Sequence, residues 1–106
     1  MTETIFYNVW RTETRENQAR LIATMREEAP KLAAKPGFRS IRVLESEDGR
    51  VLVEGRWASL EAFDAAVTRD DSARESRQTM AAFGTAEPGM FTESFQVGSQ
   101  EGSSRD

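Results

Sequence analysis

The sequence predicts an α+β domain in which four antiparallel strands and three helices follow the order β-α-β-β-α-α-β. Residues 14–35 carry apolar side chains at three- and four-residue intervals, the pattern of an amphipathic helix. Asp48-Gly49 separates two apolar runs, which is typical of a β-hairpin. Pro36-Gly37 before this hairpin indicates a helix end, and Ser59 after it indicates a helix start.

The first strand is predicted over Thr4–Arg11, where successive side chains alternate between two faces. Asn8 then shares a face with Phe6 and Trp10, and Tyr7 lies on the other face. The first helix is predicted from about Thr14 to Lys35, and Pro30 is expected to kink it or to split it in two. Its buried stripe is predicted to contain Leu21, Ile22, Met25, Ala29, Leu32 and Ala33.

The hairpin is predicted to join Ile41–Leu44 to Val51–Trp57, and a second helix is predicted from Ser59 to about Arg69. A third helix is predicted from caps at residues 70–72 to about Phe83.

The end of the chain is predicted from its turn residues. Glu87-Pro88-Gly89 is expected to turn the chain into a last strand over Met90–Val97. Residues 1–98 are thus expected to form one domain. The Gly-, Ser- and charge-rich residues 99–106 are expected to form a disordered tail.

Composition narrows the classes of function. The 14 basic and 18 acidic residues give a net charge of −4 without a basic stripe, so no nucleic-acid partner is expected. No apolar run approaches the roughly 20 residues that span a bilayer, and no signal peptide is recognisable, so a cytoplasmic protein without a membrane partner is expected. The chain has no histidine and no cysteine, which removes the commonest general base and metal ligands. Chemistry without a metal or other cofactor is therefore expected.

Three groups of residues together resemble the antibiotic biosynthesis monooxygenase family: Pro36-Gly37-Phe38, Asp48-Gly49 and Trp57-x-Ser59-x-Glu61-Ala62-Phe63. The resemblance covers roughly residues 3–98 and implies a ferredoxin-like sheet and a dimeric α+β barrel. It also implies a cofactor-independent monooxygenase of antibiotic biosynthesis, which oxidises an aromatic polyketide-like phenol or anthrone to a quinone with dioxygen. A homodimer agrees with the apolar residues on both faces of the third strand, which one helical layer cannot cover.

The resemblance also implies a site. Family oxygenases bind substrate beside an Asn on the first strand, a Trp ending the third strand and, in some members, an Arg on the following helices. Asn8, Trp57 and Arg77 are similar to these residues and are the expected catalytic residues. The expected substrate-binding residues are Phe6, Val53, Gly55, Phe63 and Met80.

The chain departs from the family pattern at two positions. Val53 stands where family oxygenases carry a second Asn, and Phe63 stands where they carry a Tyr. Two alternatives therefore stay open: a non-oxidative cyclase or isomerase, and a ligand-binding accessory protein. The haem-degrading branch is disfavoured, because the helix after Trp57 contains no histidine.

Each candidate also has a structural interpretation. Trp57 is either a core or dimer-interface anchor or a hydrogen-bond donor to the substrate. Asn8 either pairs with backbone or binds a ligand, because an unsatisfied buried amide costs about 1–3 kcal/mol. Arg77 either contacts the ligand or forms an ion pair with an acidic neighbour, the candidates being Glu61, Asp64 and Glu75. Glu45 and Glu54 are interpreted as exposed strand residues rather than an acid/base pair.

Overall fold

The computed structural model describes residues 3–98, and it confirms the α+β class and the order of elements. The strands are β1 (Thr4–Arg11), β2 (Phe38–Glu45), β3 (Arg50–Trp57) and β4 (Thr85–Phe91). They form one antiparallel sheet in the order β2-β3-β1-β4, which places β1 and β3 in its centre. The tail predicted over residues 99–106 lies outside the described residues.

The helices are α1 (Arg15–Ala33), α2 (Leu60–Phe63) and α3 (Asp71–Met80). Each begins at a side-chain cap. The Asn17 amide donates to Thr14 at 3.0 Å, the Ala62 amide to Ser59 at 3.1 Å and the Ala73 amide to Asp70 at 2.9 Å. These caps are the reason why the predicted helix starts agree with the structure.

Two helices differ in detail from the prediction. Helix α1 continues through Pro30, so a split into two helices is wrong. The segment after α2 is a π-helical turn over Asp64–Thr68, here called the π turn, and not a continuation of regular α-helix. Such turns insert one extra residue per turn and are frequent at functional sites.

No helix of residues 3–98 is long and apolar enough to cross a membrane.

The last strand is β4 over Thr85–Phe91, so the predicted strand over Met90–Val97 and the turn at residues 87–89 are wrong. Pro88 lies within β4, opposite Asn8 of β1. Proline cannot donate to a sheet and is tolerated on an edge strand, and β4 is an edge strand of this sheet. The proline therefore marks the edge of the sheet here, and not a turn.

The helices pack on one face of the sheet and form two apolar clusters with it. The first joins Trp10 and Val53 of the sheet to Leu21 and Met25 of α1. The second contains Trp57, with Phe63 of α2 and Ala66 of the π turn. The alternation of β1 and β3 directs their apolar residues into these clusters, as the sequence predicts.

The opposite face of the sheet has no helical layer among the described residues. On this face Leu44 of β2 is 42% exposed, and Phe91 of β4, which contacts Tyr7, is 45% exposed. Glu54 on the same face is buried among polar partners, since Tyr7 donates to it at 3.2 Å and Arg42 and Arg56 pair with it. The expectation that Glu54 is exposed is thus wrong, because it is buried in an ion-pair network; it forms no carboxylate pair with Glu45.

We propose that a second copy of the chain covers this face, because a group of exposed apolar side chains on one face marks an interaction surface. Light scattering at micromolar concentration should give the mass of a dimer. Leu44→Asp should weaken the dimer, whereas Leu60→Asp, an equally exposed leucine on the helical side, should not. A stable monomer for the unmodified chain would contradict the proposal.

Candidate active site

A cavity of about 120 Å³ lies where the two apolar clusters meet, between the sheet and the helices. Its walls are mostly apolar, with a few polar side chains that point inward. The structure brings to this one cavity all eight residues that the sequence singled out. They are Phe6, Asn8, Val53, Gly55, Trp57, Phe63, Arg77 and Met80.

The cavity adjoins an open cleft of about 750 Å³ beside β4. Asn8, Phe63 and Arg77 line both spaces, so the cleft adjoins the cavity at these residues. The cavity alone is smaller than a typical site for an organic ligand, which measures about 300–1,000 Å³. A ligand can therefore insert one ring into the cavity and extend into the cleft.

Asn8 is 7% exposed, and its side-chain oxygen Oδ1 has no hydrogen-bond partner anywhere in residues 3–98. The sheet register explains this. The residues opposite Asn8 on the two neighbouring strands are Val53 and Pro88, whose side chains carry no donor. An unsatisfied buried acceptor costs about 1–3 kcal/mol, so Asn8 is a polar group poised for a donor that the described chain does not supply.

Trp57 is 2% exposed within the single subunit, so it is a core residue that also lines the cavity. Its ring makes edge-to-face contacts with Phe38 and Phe63, at centroid distances of 5.4 and 6.0 Å. Gly55 makes room for the indole, since a Cβ there would lie 3.3 Å from the indole nitrogen of Trp57. The aromatic neighbours therefore fix the orientation of the indole N–H, the only polar group of the Trp57 side chain.

Phe63 and Phe6 form one wall of the cavity, with ring centroids 5.0 Å apart. Phe63 stands where the resemblance implies a Tyr, and Val53 stands where it implies an Asn. Both positions face the cavity, so the chain has apolar groups at two places where the family pattern is polar. Asn8, Trp57 and Arg77 are the polar residues of the expected site that line the cavity.

Arg77 lies on α3 and lines both the cavity and the cleft. Its Nη1 donates to the backbone oxygen of Val67 in the π turn, at 3.0 Å. It forms no ion pair within residues 3–98, so the pairs considered with Glu61, Asp64 and Glu75 are not made there. One carbonyl neutralises little of a guanidinium charge, and four N–H donors stay available for a ligand.

Sequence reasoning missed two polar residues of the cavity, Glu28 and Ser76. The Ser76 hydroxyl donates to Glu28 at 2.6 Å and so joins α3 to α1. This hydrogen bond, more than the salt bridge to Lys31, holds the pKa of Glu28 below its ordinary value in spite of burial. The spacing offered a signal, because Glu28 lies three residues after Met25 and four before Leu32, on the buried stripe of α1.

Tyr7 lies on the face of the sheet away from the cavity, as the alternation predicts. Burial, and then the charge of Glu54, raise the pKa of Tyr7 above its ordinary value.

The residues 3–98 contain no group of three or more His, Cys, Asp or Glu side chains that could hold a metal ion.

Replacing the unsatisfied amide of Asn8 by an apolar group of similar shape should stabilise the fold. We expect Asn8→Leu to raise the free energy of unfolding by about 1 kcal/mol, measured by urea denaturation. Gln18→Met is the matched control, because Gln18 is equally buried but donates to the carbonyls of Ser46 and Arg50, and it should be destabilising by about 1–3 kcal/mol. An equal loss in the free energy of unfolding in both variants would show that the side-chain amide of Asn8 has a hydrogen-bond partner in solution.

Many solved structures resemble this fold, and three of them are described here. SnoaB, a cofactor-independent oxygenase from Streptomyces nogalater, is 21% identical, with a TM-score of 0.81 over 92% of this chain and 98% of SnoaB. A monooxygenase from the gene ActVA-Orf6 of Streptomyces coelicolor, in complex with Nanaomycin D, is 17% identical, with a TM-score of 0.82 over 93% and 94%. Rv0793 from Mycobacterium tuberculosis is 15% identical, with a TM-score of 0.77 over 92% and 100%. At these identities the similarity shows the fold alone.

No curated protein sequence matches the chain significantly. The family model described as antibiotic biosynthesis monooxygenase matches residues 14–78. This range is more than half of the sequence and extends from the N-cap of α1 to the helix that carries Arg77. The chain therefore belongs to the antibiotic biosynthesis monooxygenase family.

Proposed function

We propose that the protein is a cofactor-independent monooxygenase that oxidises an aromatic phenol or anthrone of polyketide type to a quinone with dioxygen. Family membership supports a role of the monooxygenase type. The observation that carries the finer proposal is the meeting of Asn8, Trp57 and Arg77 at one apolar cavity, with the oxygen of Asn8 left without a partner. The description of SnoaB as a cofactor-independent oxygenase agrees with it.

The main contribution of the protein to this reaction is to stabilise the anion of the substrate. An anthrone that loses a proton becomes an electron-rich anion, which can transfer an electron to dioxygen. Recombination forms a carbon–oxygen bond, and cleavage of the oxygen–oxygen bond then releases water. One oxygen atom stays on the carbon as the quinone carbonyl, and the other leaves as water, so the CH₂ group and O₂ become C=O and H₂O.

Each polar residue has a role in this scheme. Arg77 lies at the junction of the cavity and the cleft, where its charge would lower the pKa of a bound phenol and favour the anion. The indole N–H of Trp57 can donate to a substrate oxygen, and Asn8 can accept from a hydroxyl through Oδ1. The aromatic wall formed by Phe6 and Phe63 holds a planar ring.

Dithranol, a dihydroxyanthrone, tests the proposal as a substrate. The protein should accelerate both dioxygen uptake and quinone absorbance over the spontaneous reaction, with one O₂ consumed per quinone formed. Trp57→Phe and Asn8→Ala should each reduce kcat, on the order of 10²-fold for the loss of one transition-state hydrogen bond. Tight binding of dithranol without any acceleration would contradict the proposal and favour a ligand-binding protein. Conversion of a polyketide substrate without O₂ uptake would favour a cyclase or isomerase.

The charge of Arg77 should control the ionisation of a bound phenol. Arg77→Gln should raise the pH at which a bound hydroxyanthraquinone ionises, because a positive charge that favours the phenolate is lost. The measurement is the visible absorbance of the bound dye against pH. Arg74→Gln is the control, since Arg74 lies on the same helix but pairs with Asp71 at the surface. Identical titration curves for Arg77→Gln and the unmodified protein would show that Arg77 does not act on the ligand.

A further inference from the structure

Oxidation of a phenol or anthrone begins with the loss of a proton, and few groups in the cavity can accept one. The indole of Trp57 and the guanidinium of Arg77 carry hydrogen-bond donors and no acceptor. The amide of Asn8 and the hydroxyl of Ser76 are not bases near neutral pH. Among the described residues that line the cavity, Glu28 is the single carboxylate.

Glu28 has the capacity to accept a further hydrogen bond. Its Oε1 accepts from the hydroxyl of Ser76 at 2.6 Å, and its Oε2 accepts from the ammonium of Lys31 at 3.2 Å. A carboxylate offers about four lone-pair sites, so each oxygen keeps room for a substrate hydroxyl. The hydrogen bond from Ser76 also fixes the carboxylate between α1 and α3 at the wall of the cavity.

Glu28 also lies between the cavity and the outside. A separate depression of about 310 Å³ on the outer surface shares Glu28, Leu32 and Ala73 with the cavity. The side chain of Glu28 is 22% exposed. A proton taken from a ligand in the cavity can thus pass to water on the other side, away from the cleft beside β4.

We propose that Glu28 is the catalytic proton acceptor, an inference that rests on the proposed function. The O–H or C–H bond of the substrate breaks, its proton goes to a carboxylate oxygen of Glu28, and the electron pair stays on the substrate. The resulting anion reduces dioxygen as described above. The remaining C–H bond at the oxidised carbon breaks as the oxygen–oxygen bond is cleaved, and its electron pair forms the new carbonyl. The proton from this bond and the proton that returns from Glu28, directly or through solvent, convert the leaving oxygen into water, so Glu28 is unchanged after each turnover.

The groups around Glu28 keep its carboxylate ionised, which is the form that can accept a proton. Ser76 of α3 and Lys31 of α1 contact it directly and hold its pKa below the ordinary value in spite of burial. Lys35 and Asp70 line the same outer depression and pair with each other at 3.0 Å. Arg77 lines the cavity beside Ser76. The positive charge of Arg77 lowers the pKa of the substrate as well. It therefore reduces the difference in pKa between the substrate, which gives up the proton, and Glu28, which accepts it.

The first test compares Glu28→Gln with Glu27→Gln, which changes an exposed carboxylate next to it on α1. With dithranol as substrate, Glu28→Gln should lower kcat on the order of 10²-fold while KM changes little, and Glu27→Gln should not. Added formate should restore part of the lost rate in Glu28→Ala, because it can act as a base in the space that is left. Normal turnover in folded Glu28→Gln would overturn the proposal.

The second test uses the pH profile of kcat, which a merely structural role would not move. Ser76→Ala removes the hydrogen bond that lowers the pKa of Glu28, so the acid limb of the profile should move to higher pH. Thr79→Ala removes an exposed hydroxyl of the same helix that donates only to the carbonyl of Glu75, and it should leave the limb in place. An unchanged acid limb in Ser76→Ala would show that Glu28 does not set it and would overturn the proposal.

A third measurement separates this inference from the proposed function, since it needs no turnover. A negative Glu28 beside a bound phenol disfavours the phenolate, so Glu28→Gln should lower the pKa of a bound dihydroxyanthraquinone by roughly one unit. Absence of dithranol oxidation in the unmodified protein would refute the proposed function only. An unchanged pKa of the bound dye in Glu28→Gln would refute the role of Glu28.

Discussion

The pairing of β1 with β3 is the constraint on which the rest of the structure depends. It sets Phe6 opposite Gly55 and Asn8 opposite Val53. Because strand residues alternate between faces, a slip of one residue would place Asn8 of β1 and Trp57 of β3 on opposite faces of the sheet. Helix α1 helps to hold the β2–β3 hairpin in place. The side-chain amide of Gln18 in α1 donates to the carbonyls of Ser46 in the hairpin turn and of Arg50 at the start of β3. One strand register thus determines which side chains meet in the cavity.

The cavity combines features that a purely stable core would avoid. An unsatisfied amide oxygen at Asn8, a carboxylate at Glu28 and a guanidinium at Arg77 all line an otherwise apolar space. Asn8 Oδ1 has no partner within the described residues, and Glu28 and Arg77 each have hydrogen-bonding capacity beyond the contacts that they make, so a phenolic ligand could bind to all three. Local violations of packing rules of this kind concentrate at functional sites. The apolar side chains at Val53 and Phe63 limit the polar contacts to these few groups.

Much of the fold and the site could be predicted because strand alternation and helix caps are local. Thr14, Ser59 and Asp70 begin their helices as expected, and the predicted site residues all line one cavity. The position of β4 could not be predicted, because whether Pro88 ends a strand or sits on a sheet edge depends on the sheet order. Glu28 was missed since its contact with Ser76, 48 residues away, appears only in three dimensions.

The central claim is that Asn8, Trp57 and Arg77 form one binding site for a planar phenol. A crystal structure of the protein with a dihydroxyanthraquinone tests this claim most directly. We expect an aromatic ring against Phe6 and Phe63, with a ligand hydroxyl within hydrogen-bonding distance of Asn8 Oδ1 and the remaining rings in the cleft beside β4. A ligand bound outside this cavity, with Asn8 Oδ1 still without a partner in the ordered complex, would show that these residues do not form the binding site.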